Sequence, residues 1–213
     1  MFHHLYDNPL LATMLPCGVA LLVVLAAQWQ RGFARGFGTV FAIGIAADAW
    51  LNGAWTPVRS GTAMATAVGV FFVIFGDFRY FVLLEHGLQE KTGLLRAAAW
   101  AFVVPVTAQL VRWQFPRVGN DERSTFLLYE LLMLVVVGVT WLLRLPYGTA
   151  RARLLRRATA FEFVQYAVWA GADIGLMKSG QDWFYGMRLV ANLMYYVAFV
   201  PVMLWLLAKE RRE

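Results

Sequence analysis

Hydrophobic positions in this chain fall in long runs, without the alternation of a half-buried strand. Seven runs, at 10–27, 37–55, 63–84, 94–111, 125–145, 158–177 and 183–207, are separated by short polar or basic segments. A helix needs about 20 apolar residues to cross a bilayer, so the pattern predicts seven membrane helices with short connections. The runs at 37–55 and 158–177 are diluted by Gly, Asn, Gln and acidic residues, which predicts helices that depend on their neighbours. Pro146 and Gly148 close the fifth run, and Asp121 to Ser124 open it with acidic and capping residues. Pro16, Pro105 and Pro201 fall inside runs, where kinks are expected. No internal repeat, linker or low-complexity tract breaks the series. Residues 1–213 therefore read as a single integral membrane domain, an all-α polytopic bundle.

Polar residues inside these runs change the picture from an anchor to a bundle with a polar interior. Asp48, Asp77, Glu130, Glu162 and Asp173 all sit within hydrophobic stretches. A charge at mid-bilayer costs about 2.5–3.5 kcal/mol on insertion scales, and such residues normally face a partner or a hydrated interior. In the sixth run Glu162, Gln165, Tyr166, Trp169 and Asp173 share one helical face. The seventh run does the same with Arg188, Asn192, Tyr195, Tyr196 and Phe199. Gly44, Asp48 and Asn52 align in the second run, and Gly69, Val73, Asp77 and Tyr80 in the third, with Arg79 on another side. Each stripe is expected to turn inward.

Composition agrees with this placement: 60% of residues are hydrophobic, 15% are charged, and the mean hydropathy is +0.57. Soluble domains are closer to about 45–50% apolar and about 25% charged. The net charge of +6 comes from arginines beside the runs, which points to topology and anionic headgroups, not to nucleic acid. With the N-terminus outside, twelve Lys and Arg flank the inner ends and six the outer ends. The inner group includes Lys91, Arg144, Arg151, Arg153, Arg156, Arg157 and Arg212, and the outer group includes Arg112, Arg117, Arg123 and Arg188. That bias predicts an N-out, C-in protein of an inner (plasma) membrane of bacterial type. Trp29, Trp50, Trp55, Trp113, Trp141, Trp183 and Trp205 fall near run ends, as interfacial anchors do. No cleavable leader precedes the first run, which is expected to remain as a span.

The same topology assigns depths. Asp48, Asn52, Gln109, Glu130, Asp173, Arg188 and Asn192 are expected in the outer half. Asp77, Arg79 and Glu162 are expected near the middle or inner half, with Tyr166 between the layers. Glu162 and Asp173 are about 16 Å apart along one helix, so they cannot form one tight pair. Five carboxylates against two interior arginines, Arg79 and Arg188, leave some acids to be protonated, hydrated or bound to a ligand. These residues predict a pocket or pathway for a polar or cationic solute, or for protons. Asp48, Glu130 and Asp173 would supply negative charge and Arg188 the counter-ion. Asn52, Gln109 and Asn192 would be neutral donors, with Asp77, Glu162, Gln165 and Tyr166 continuing inward.

Two short resemblances are present, and the second of them carries a further expectation. Gly76 and Asp77 within Phe75-Gly76-Asp77 resemble the Gly-Asp step of intramembrane aspartyl proteases such as the prepilin peptidases, although the first glycine of their Gly-x-Gly-Asp is absent. Gly76 and Asp77, Asp173, and Tyr195 with Tyr196 resemble, in order along the chain, features of the lysoplasmalogenase family. That resemblance implies lipid hydrolysis with Asp77 and Asp173 as acid–base residues; the family's Lys-Pro-Leu step has no counterpart here. A third expectation is a non-catalytic subunit or assembly factor, whose polar stripes would bind a partner's spans or another copy.

Cofactor chemistry finds little foothold. Cys17 is the single cysteine, and His3 and His4 are separated from His86 by a membrane run, so no zinc or haem site is predicted. The seventh run has no lysine for a Schiff base, and the chain carries no P-loop or dinucleotide-binding glycine motif.

Overall fold

A computed structural model of the chain describes residues 1–53, 55–59, 61–89, 93–115 and 122–211, with Glu122 described by its backbone. Lys91, Arg117, Asp121 and Arg212 lie outside the described residues. No strand occurs among the described residues. The elements are α1 (Phe2–Tyr6), α2 (Leu10–Ala27), α3 (Phe33–Leu51), α4 (Ala63–Leu88), α5 (Leu94–Gln114), α6 (Glu122–Leu143), α7 (Ala150–Ser179) and α8 (Trp183–Glu210).

Local chemistry explains where these helices start and stop. Thr62 and Thr149 precede α4 and α7, and their hydroxyls accept the amides of Ala65 at 3.2 Å and Ala152 at 3.0 Å. These caps satisfy amides that the first turn leaves free. Gly180, with φ of 64°, closes α7 in the left-handed conformation. Two of the three helix prolines follow π-helical turns: Leu10–Met14 comes just before Pro16, and Met194–Ala198 just before Pro201. A proline has no amide to donate and crowds the carbonyl one turn back, and a widened turn relieves both effects.

Five helices, α2, α4, α5, α8 and the Arg123–Leu143 stretch of α6, are long and apolar enough to cross a membrane. The other two long helices fall short of that measure because of their charges. The expected run 37–55 is α3, which starts and ends four residues earlier and carries Arg35 and Asp48. The expected run 158–177 lies within α7, which begins eight residues earlier and takes in Arg151, Arg153, Arg156 and Arg157.

The helices pack as neighbours along the chain, with α4 and α7 meeting in the interior and α8 closing against α3 and α7. Half of the apolar stretch of α4 is buried (50%), against 28% for α2 and α6 and 22% for α5. Lipid-like exposure is therefore concentrated on α2, α5 and α6. Alanines line the buried contacts, among them Ala27, Ala34, Ala42, Ala97, Ala101, Ala158 and Ala172. Small side chains let helix backbones approach closely where lipid tails offer no hydrophobic gain. Cys17 is part of this packing, its thiol 3.7 Å from the Ala46 carbonyl.

Contacts at the two ends of the bundle tie its termini to neighbouring elements. At one end Asp182 accepts the Met1 ammonium at 2.8 Å and the amides of Phe2 and His3 at 2.7 and 2.9 Å, which docks α1 on the start of α8. These donors, the ammonium foremost, hold the Asp182 carboxyl well below the usual carboxylate range. At the opposite end Arg211 donates to the Arg31 carbonyl at 2.6 Å, and Arg151 pairs with Glu210 at 3.5 Å. Trp29, Trp113 and Trp205 project outward near the helix ends, with exposures of 86%, 79% and 60%.

Candidate functional site: a buried carboxylate and tyrosine centre

Much of each polar stripe turns inward, although Asn52 at the end of α3 is exposed. Glu162, Gln165, Tyr166 and Asp173 on α7 are all buried, as are Asp77 and Arg79 on α4, Asp48 on α3 and Glu130 on α6. They form three groups stacked along the bundle.

The central group is built around Asp77, which is 1% exposed. Tyr166 of α7 donates its hydroxyl to one carboxylate oxygen, and Tyr129 of α6 donates to the other. Both bonds come from neutral groups on helices that flank α4. Beside it, the Tyr195 hydroxyl of α8 lies 3.3 Å from Asp48 and 3.1 Å from the Phe72 carbonyl. The Tyr195 phenol occupies the space where a side chain at position 76 would begin, so only Gly76 fits there. Asn52 donates to Asp48 at 2.7 Å from the exposed end of α3.

Arg79 is 1% exposed and is held by rings, not by acids. Its guanidinium lies 4.0 Å from the Tyr195 ring centre and 4.2 Å from that of Phe199, and it donates to the Tyr195 carbonyl at 2.8 Å. That carbonyl belongs to the π-helical turn of α8. Among the described residues no carboxylate comes within ion-pair distance of Arg79. Glu162 lies within electrostatic reach of both Arg79 and Asp77, yet one of its oxygens has no hydrogen-bond partner among the described residues.

The group at the end of the bundle near the start of α8 has a different character. Arg188 of α8 and Arg123 of α6 both donate to Asp173, the latter at 3.3 Å. Glu130 is close enough for its charge to act on these three groups. Below it, the Trp169 indole donates to Asn192 at 2.9 Å. The group at the far end pairs Glu85, which is fully buried, with Arg144 and with Gln89 at 2.9 Å. Tyr80 and Thr159, 3.1 Å apart, stand between this pair and the centre.

Several placements depart from the depth reasoning. Asp48 does not join the Asp173 group; it meets Tyr195 beside Asp77, because α3 packs against the Phe199–Glu210 part of α8 and not its start, and the Tyr195 side chain reaches Asp48 from the turn just before. Gln109 is exposed on α5, with no hydrogen bond to the other polar residues among the described residues. Asp77 and Asp173 sit in separate groups: Asp77 binds Tyr166, and Asp173 is seven residues further along α7, about 10 Å at helical rise. Among the residues of these groups that escaped the candidate set are Tyr129, Tyr195, Arg79, Glu85, Arg123 and Arg144. Tyr129 hides next to Glu130 in an apolar run, Glu85 lies one residue beyond the expected end of its span, and Arg79 falls off the polar stripe of α4. The identities of Arg79 and Glu85 carried a signal, since each charge interrupts or abuts a hydrophobic run. Tyr129 carried none.

Phe41, Ile45, Asp48, Gly76, Arg79 and Tyr195 line a crevice between α3, α4 and α8 that is too narrow for a water-sized sphere. Among the described residues no three His, Cys, Asp or Glu side chains gather as a metal cage. What the arrangement offers chemically is a set of buried hydroxyl and carboxyl groups, several of them hydrogen-bonded to one another. Comparison of the chain with protein-family models, characterised proteins and solved structures finds no match.

Proposed function

We propose that this chain is an integral membrane protein of seven spans, N-terminus outside and C-terminus inside, that conducts protons along its buried polar column. In this reading α3 and α7 cross the membrane with their polar faces packed inward, sheltered by the more apolar α2, α5 and α6. The arginine-rich end that holds Arg144, Arg151 and Arg211 faces the inside, in keeping with the charge bias of inner membranes. The surrounding partner is the lipid bilayer.

One observation carries the proposal: Asp77, buried at mid-bundle, is bonded by two tyrosine hydroxyls and, among the described residues, is ion-paired with no cation. A carboxyl so held gains or loses a proton without breaking an ion pair, and its hydroxyl partners can pass the proton on. Asp48 through Tyr195 lies toward the outer side of this point, and Glu162 toward the inner side. A tightly packed column suits protons better than a larger solute, because protons move through hydrogen bonds and need no open pore.

Reconstitution into liposomes with a trapped pH dye and an imposed potassium diffusion potential tests the proposal. Proton flux well above that of empty vesicles is expected, and at least a tenfold loss in Asp77→Asn, taking 1.4 kcal/mol as the factor of ten in rate. Flux equal to that of empty vesicles, or unchanged in Asp77→Asn, overturns the proposal. Uptake of sodium or a small organic cation in place of protons would reassign the same acidic centre to that solute.

A further inference from the structure

Arg79, Glu162 and Gln165 are each no more than 1% exposed, and together they present five polar atoms without a hydrogen-bond partner among the described residues. These are Nε and Nη2 of Arg79, Oε2 of Glu162, and both amide atoms of Gln165. Two contacts between α7 and α8 put them at about one level of the bundle. Trp169 donates to Asn192, and the Phe161 ring meets Phe199 edge-on at 5.7 Å. Gln165 lies midway between Phe161 and Trp169, and Tyr195, whose carbonyl takes Arg79, lies between Asn192 and Phe199. Gln165 therefore stands level with Arg79. Glu162 is one turn away on the same face of α7, within electrostatic reach of the guanidinium.

A bare buried polar group costs about 1–3 kcal/mol. Five of them would consume a free energy comparable to the whole net stability of an ordinary domain, about 5–15 kcal/mol. The donor set selects the ligand. Arg79 and the Gln165 amide nitrogen donate, whereas Glu162 and the Gln165 amide oxygen accept. A metal ion would face a guanidinium, and an anion would face Glu162, Asp77 and Asp48. Water both donates and accepts, and each buried water makes about three hydrogen bonds.

We infer that Arg79, Glu162 and Gln165 form an internal hydration site that holds about two ordered waters beside Asp77, the bond count matching five protein atoms. The site deepens the proton reading, since these waters would carry the proton between Asp77 and Glu162. Arg79 acts here as a positioning residue: stacked between Tyr195 and Phe199, it fixes the waters and is not the counter-ion of any one acid.

Hydroxyl-radical labelling of the full chain in liposomes, in water enriched in oxygen-18, tests the site. Radicals form from bound water and mark the nearest rings. Tyr195 and Phe199, 8% and 0% exposed, are expected to take up label several-fold faster than Phe37, 3% exposed in the apolar core. Gln165→Leu is expected to bring both down to the Phe37 level and to lower the thermal midpoint. Equal labelling of Phe199 and Phe37 in the unmodified chain overturns the site, as does a raised midpoint in Gln165→Leu. If that variant fails to fold, the unmodified chain alone decides. Labelling as expected with no proton flux would leave the hydration site standing and defeat the transport reading; flux without labelling would do the reverse.

Discussion

Asp77 and Asp173 are buried to nearly the same degree, 1% and 0% exposed, and meet opposite partners. At Asp173 two guanidinium groups, from α8 and α6, converge on one carboxylate. At Asp77 two phenols, from α7 and α6, take one oxygen each. Glu85 with Arg144 repeats the Asp173 pattern at the other end of the bundle. The interior thus carries an ion-paired clamp at either end and, between them, a centre in which Asp77 is held by hydroxyls and Arg79 by rings. A buried ion pair ties its two members together, because removing either partner strands the other. A carboxylate held by hydroxyls has no such lock. Burial alone therefore does not mark the functional acid; the chemistry of its partners does.

The contrast is open to mutation. The largest effect is expected at Arg188→Leu, which leaves Asp173 with Arg123 alone and should remove about 3–5 kcal/mol of stability, as breaking buried pairs does. Thermal unfolding in detergent checks it, and a near-neutral result would erase the distinction between the two aspartates. Gly76→Ala should come next, at about 1–3 kcal/mol, because the new methyl group displaces the Tyr195 phenol from its seat. Proton flux should fall with it as Tyr195 leaves Asp48. Tyr129→Phe and Tyr166→Phe each remove one hydroxyl from Asp77, so about 0.5–1.5 kcal/mol is expected from each. Their effect on flux should exceed their effect on the unfolding midpoint, the reverse of the order expected for Arg188→Leu. Gln109→Ala, on the exposed face of α5, should change stability by less than about 0.5 kcal/mol and leave flux as it was. A large loss there would return Gln109 to the interior.

Local pattern was enough for the helices and for the direction of their stripes. Long apolar runs forecast α2, α4, α5, α6 and α8 because a run of that length has few other uses. The spacing of Glu162, Gln165, Tyr166 and Asp173 put them on one inward face because a helix turns by a constant angle per residue. Helix ends were less legible. Glu85 fell outside its span because hydropathy fades before the backbone stops being helical, and the neutralising Arg144 comes from another helix.

Pattern within one helix cannot say how high its neighbour sits or how far that neighbour is rotated. The chain alone therefore declared a membrane bundle with acids inside. Which acid meets which partner came from packing: Asp48 went to Tyr195, Asp77 to two phenols, and Arg79 to a slot between two rings. Helical periodicity is a one-dimensional property that residues carry with them. The pairing of charges across helices depends on small-residue contacts, a glycine seat at position 76 and a widened turn in α8, and these act only once the helices are side by side.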